Sequence, residues 1–280
     1  MRITLDDVRV AGRRSTLLEL DSLALDSGEC VLLAGEPGQG LTALALVATG
    51  RLAPYSGTVT LVDDEEGTAT TSAAVLRRVT AVVDLPGVSE PDDVTPVGTV
   101  VAEDLALARR SSRPGAARRW LEAHELAQRH ADRVDELHGD VRTQLLASLA
   151  IERAAVRFLV LTLPDRHGGE PAGWWSLAQG LASLGYGVLV QCSRSAARDL
   201  GATIPPARGP TQRATPVEAL RTRPVPASPP AHRGSGDPAD PTADTAVLDP
   251  SPPTSPPTSP PTSPPTSPPT SPPTSKETDR

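Results

Sequence analysis

Apolar and polar positions alternate along MRITLDDVRVA, Met1 to Ala11, which predicts an edge strand with one buried face. STLLELDSLALDSGE continues the alternation from Ser15 and runs into a turn. The pattern then changes. CVLLAG, Cys30 to Gly35, is a short all-apolar run of β-favouring residues, as expected of a strand buried on both faces of a parallel sheet. A glycine loop follows, and helical spacing runs from about Leu41 to Thr49. GRLAPYSGTVTLVD predicts a turn and another alternating strand, with DDEEG, Asp63 to Gly67, as a solvated hairpin turn; RRVTAVVDLP predicts a further strand. From about Val97 to Ala154 apolar residues recur at helical spacing. RFLVLTLP and YGVLVQCS read as two more buried strands, separated by a helix, WWSLAQGLASLG, that Gly185 ends. These pieces predict an α/β domain over residues 1–203 with a helical subdomain inserted at about 95–150.

The pattern stops at about Ile204. Proline, serine, threonine and alanine dominate from there, and residues 251–274 are six copies of SPPT. Such a segment has almost nothing to bury against its ordering entropy, so 204–280 is expected to be a disordered tail, extended in polyproline II and serving as a spacer. The tail's seven basic and seven acidic residues balance, so the net charge of −7 belongs to the rest of the chain. An acidic domain without a basic stripe argues against nucleic acid as a partner. The N-terminal MRITLDD carries no apolar signal region and no apolar run approaches a membrane span, which leads to the expectation of a cytoplasmic protein. Cys30 and Cys192 are isolated, and His124, His130 and His138 lack the spacing of a metal site. Trp174 and Trp175 suit packing of a helix on the sheet.

The chemistry-bearing stretch is GEPGQGLT, Gly35 to Thr42. A phosphate loop works through backbone N–H groups at a helix N-terminus and a lysine that neutralises the phosphates. Gly35, Gly38 and Gly40, with Gln39, could form the backbone nest, and Thr42 could offer a hydroxyl to magnesium. The lysine position is Leu41, and the chain has no lysine before Lys276. Arg13 or Arg14 are the cations that could approach a nucleotide, though the sequence does not place them.

Over residues 1–203 the order of pieces resembles the ATP-binding subunit of ABC transporters, a P-loop NTPase-like cassette with a mixed sheet core, an antiparallel β subdomain and an inserted α-helical subdomain. GEPGQGLT matches its phosphate loop, GRLAPYSGTV the turn and strand after the first helix, DELHGDV the signature loop, FLVLTLPD the second nucleotide motif, and GVLVQCSRS the switch-histidine strand. The resemblance implies a nucleotide site at Gly35, Gly38, Gln39, Gly40, Leu41 and Thr42, a head-to-tail pair of cassettes, and a membrane-spanning partner contacted through the helical insert and the Asp84–Val94 loop. It also exposes what is missing. Thr162 stands at the magnesium aspartate and Leu163 at the catalytic glutamate, with Pro164 kept. In the signature loop only Leu137 and Gly139 match, with His138 and Asp140 substituted; Cys192 replaces the switch histidine, Asp84 the glutamine, and Ala11 the adenine-stacking aromatic. A leucine cannot orient or deprotonate water. The expectation is a non-hydrolysing partner or regulatory cassette at the inner face of a membrane, with no catalytic residues, weak ATP binding and magnesium disfavoured. The rival readings are a soluble interaction scaffold using the proline-rich tail and an active ABC ATPase with atypical motifs.

Overall fold

The computed structural model describes residues 1–111, 113–205 and 215–224. β1 (Arg2–Ala11) and β2 (Thr16–Asp26) pair antiparallel, and β4 (Ser56–Asp63) and β5 (Thr68–Thr70) extend them into a four-stranded sheet ordered β2-β1-β4-β5. The inward sets shift phase at the same point in both long strands. Leu5 and Val8 are buried three residues apart, and they face Leu23 and Leu20, which shift likewise. Asp7, at φ 50°, absorbs the irregularity where β1 crosses β4. Residues 63–67 form the predicted hairpin turn, closed by the Asp63 carboxylate accepting the Glu65 N–H at 3.2 Å.

The second sheet is built from β6 (Thr80–Val83), β7 (Phe158–Thr162), β8 (Gly187–Cys192), β3 (Cys30–Ala34) and β9 (Val217–Thr222), ordered β6-β7-β8-β3-β9. Its first four strands are parallel, and every residue of β3, β7 and β8 is buried. Alternation sends their side chains to two cores. Cys30, Leu32, Leu159, Leu161, Val188 and Val190 meet the helical side, while Val31, Leu33, Phe158, Val160 and Leu189 meet α1 (Leu41–Ala48) and the antiparallel sheet. All-apolar strands arise because both faces are covered.

α2 (Ala73–Val79) leads into β6. α3 (Val97–Leu107), α4 (Ala116–Ala123) and α5 (Gly139–Ile151) lie between β6 and β7 in sequence, and α6 (Pro171–Ser183) and α7 (Arg194–Asp199) flank β8. Gly185 ends α6 at φ 94°, its N–H donating to Ala182 and the Tyr186 N–H to Leu181, the pairing that closes helical carbonyls at a left-handed residue. Trp174 and Trp175 are buried in the helical-side core.

The expected boundary at residue 203 needs correction. Residues Val217–Thr222 form β9, antiparallel to β3, so the folded unit extends past the point where the composition changes. Arg221 donates to Glu29 and to Glu218, both at 2.8 Å, and Arg223 to Asp26 at 2.7 Å. A six-residue edge strand with half-buried side chains has no compositional signature; a buried carboxylate, Glu29, awaiting a cation across the sheet edge is what selects it. The SPPT repeats lie outside the described residues.

Candidate functional site

The glycine loop joins β3 to α1 at the carboxyl end of the parallel strands. Gly35 donates its N–H to Cys192 on the neighbouring strand at 3.0 Å, which fixes the loop's first residue to the sheet. Gly38 and Gly40 sit at φ 89° and 76°, where a side chain is strained. At Gly40 a Cβ would also strike the Leu17 carbonyl, so glycine is required there by space as well as by φ. The turn closes on itself: Glu36 donates its N–H to the Gln39 side-chain oxygen and accepts the Gln39 N–H, both at 3.0 Å. Thr42 is exposed.

Leu41 is buried, and its side chain lies over Gly35, with Cγ about 3.0 Å from where a Cβ would stand. Its carbonyl accepts from the Gln191 amide at 2.9 Å. At the lysine position, then, an apolar group is packed into the loop. Thr162 and Leu163 are equally built into the fold. Thr162 is buried and donates its hydroxyl to the Val83 carbonyl at 2.7 Å, so its polar atom serves the β6–β7 seam and does not reach the loop. Leu163 has φ 47° and ψ 57°, a left-handed conformation costly for leucine, and its N–H donates to Gln191 at 2.8 Å.

A cavity of about 610 Å³ opens beside the loop. Leu17, Leu41, Leu46, Leu52 and Leu163 give it apolar walls; Glu36, Asp165 and Arg166 are its charged lining residues. Arg13 and Arg14 are exposed and do not line it. Arg166, on the turn after β7, is the member that sequence spacing could not supply.

Arg166 belongs to a charged cluster behind the cavity. Arg142 of α5, 2% exposed, donates to both oxygens of Asp84 at 3.0 and 3.1 Å and to Asp93 at 3.0 Å. Arg166 reaches Glu90 at 2.8 Å and Asp84 at 3.2 Å, and its Nε donates to His167 Nε2 at 2.7 Å. Burial pushes His167 below the ordinary histidine value, with the Arg142 and Arg166 charges adding to the effect against the opposing pull of Asp84 and Glu90. Asp84, Glu90 and His167 bring three potential metal ligands within 4.8 Å of one another, yet two guanidiniums already hold those carboxylates. Asp84, at φ 58°, anchors the β6 exit to α5.

In the signature-loop segment, Leu137 is buried, His138 is exposed, and Gly139 packs so closely on the Gly168 carbonyl that no Cβ fits. The Asp140 carboxylate turns towards Gly169 and Gly173 at the start of α6. Cys192 is buried in β8 and burial pushes its thiol well up; Cys30 is likewise buried and raised to about 12. Both are packed small apolar side chains with no thiolate chemistry near neutral pH.

No protein-family profile and no curated protein matches the chain. Solved structures do. An ATP-binding subunit of an ABC transporter superposes with TM-score 0.50 at 17% identity, over 71% of this chain and 82% of that one. A nucleotide-free ATP-binding cassette from an ABC transporter gives 0.53 at 16% identity, over 69% and 82%. A dimeric bacterial ABC transporter cassette gives 0.52 at 18% identity, over 70% and 90%. The chain shares the fold of these ABC transporter ATP-binding cassettes, a mixed α/β architecture with a sheet core.

Proposed function

We propose that the chain is a non-hydrolysing ABC-type cassette, a partner or regulatory subunit of a membrane transport system that binds ATP weakly through Gly35, Gly38, Gln39, Gly40 and Thr42. One observation carries the reading. The three positions at which the family resemblance places the chemistry hold side chains occupied with structure: Leu41 over Gly35, Thr162 on the Val83 carbonyl, and Leu163 in a leucine-walled cavity. None can neutralise a phosphate, hold magnesium or activate water.

A membrane-spanning partner and a second cassette are part of the reading by analogy with the similar structures, which are transporter cassettes and in one case a dimer. A groove of about 610 Å³ between the Asp84–Thr95 loop, α3 and α5 supports a docking role; Val88, Val94 and Leu107 are exposed on or near it. Among the described residues no helix is long and apolar enough to cross a membrane, so contact with a bilayer protein would be peripheral.

The test is phosphate release by purified protein with magnesium and ATP. Turnover equal to a heat-killed control is expected. Turnover that is lost on Thr42→Ala and survives repeated purification would overturn the reading.

A further inference from the structure

We propose that Arg166 is the anion-binding cation of the loop cavity, a guanidinium supplied from the turn after β7 where the loop itself has none, and that Glu90 and Asp84 hold it back. The inference rests on the cassette reading above and names the residue that gives its nucleotide loop affinity for phosphate.

Arg166 is the one cationic residue among those lining the cavity; Glu36 and Asp165 are its carboxylates. Three of its nitrogens have distinct situations. Nη2 lies 2.8 Å from Glu90 and 3.2 Å from Asp84, and Nε donates to His167. Nη1 is buried and, among the described residues, has no hydrogen-bond partner. An unpartnered buried guanidinium N–H is unfavourable, and turning the Arg166 fork away from Glu90 into the cavity would let a phosphate oxygen satisfy it beside the first turn of α1, which lines the same cavity. Arginine suits the task because its planar fork offers two parallel donors to a phosphate.

The same geometry would hold affinity low. Glu90 occupies Nη2 at charge-assisted distance, and Glu36 and Asp165 face any incoming anion with like charge. A polyphosphate must compete with Glu90 for Arg166. Neutralising Glu90 frees the guanidinium. It leaves α5 anchored, because Arg142 keeps Asp84 and Asp93 at 3.0 Å.

The experiment is calorimetric titration of the full chain with ATP, with and without magnesium, and with adenosine as a control lacking phosphate. Glu90→Gln is expected to tighten ATP roughly tenfold and Arg166→Gln to weaken it by a similar factor, with Arg166→Lys retaining part of the affinity and adenosine unaffected throughout. Gained affinity cannot arise from misfolding, so Glu90→Gln decides the matter if Arg166→Gln is unstable. Wild-type ATP affinity in both Glu90→Gln and Arg166→Gln overturns the proposal, as does ATP binding to none of the proteins. Phosphate release by the wild type would instead defeat the non-hydrolysing reading and leave the assignment of Arg166 standing.

Discussion

Thr162 donates its hydroxyl hydrogen to the Val83 carbonyl across the β6–β7 seam, 79 residues away in sequence. This residue is a strut between two parallel strands. Thr162→Val should cost about 1 kcal/mol, the net worth of one buried hydrogen bond. Thr162→Asp should cost more, roughly 2–3 kcal/mol or above, because a buried carboxylate would face a carbonyl oxygen without a donor. Urea midpoints of the two variants check this; an aspartate variant as stable as wild type would show that the seam tolerates the charge.

Leu41 packs over Gly35, and replacing it tests whether the loop lacks one part or several. Leu41→Lys is expected to bind ATP about one to two decades more tightly, from one new charge-assisted contact. Phosphate release should stay at background, because Leu163 and Thr162 still contribute nothing to water or metal. Robust turnover from the single variant would establish a competent site with one lesion.

Leu163 carries left-handed backbone at φ 47° beside the cavity. Asparagine visits that region at far lower cost than leucine. Leu163→Asn should therefore raise stability by about 0.5–1 kcal/mol after loss of some apolar burial. A fall in the unfolding midpoint would mean that the leucine's packing outweighs its strain.

β9 makes two truncations unequal. Ending the chain after Pro224 should leave the unfolding midpoint unchanged. Ending it after Gly201 removes the antiparallel partner of β3 and strips Glu29 of Arg221. That should cost about 2 kcal/mol, roughly 4–8 °C for a domain of this size. Equal midpoints would show that β9 contributes nothing to the fold.

His167 Nε2 accepts from Arg166 and lies 3.0 Å from Asp84, so protonation there exchanges the Arg166 contact for an ion pair with Asp84; burial nevertheless lowers its folded value below 6.5. A histidine whose folded value is depressed leaves the folded state with fewer bound protons. Its contribution is complete above about pH 6.5 and is lost as pH falls through the lowered value. Denaturant midpoints should therefore decline between about pH 7 and 5, and His167→Gln should flatten that decline. An identical slope in the variant would assign the dependence to other groups.

The sequence by itself determined the layered α/β plan. Period-two alternation sets β1 and β2, unbroken apolar runs set β3, β7 and β8, and helical spacing sets α5 and α6; each is a local consequence of which faces a segment must bury. The glycine loop was equally legible, since Gly38 and Gly40 stand where φ is positive. The identities of Leu41, Thr162 and Leu163 are plain in the sequence, because a side chain's chemistry needs no coordinates. What those side chains do instead is another matter. Arg142 meets Asp84 across 58 residues, Thr162 meets Val83 across 79, and Arg166 meets Glu90 across 76. Arg221 meets Glu29 across 192 and fixes a strand that composition concealed. Only the tertiary structure decided these pairings, because a buried charge or hydroxyl takes the partner that the strand order brings within reach, and strand order is a property of the whole folded chain.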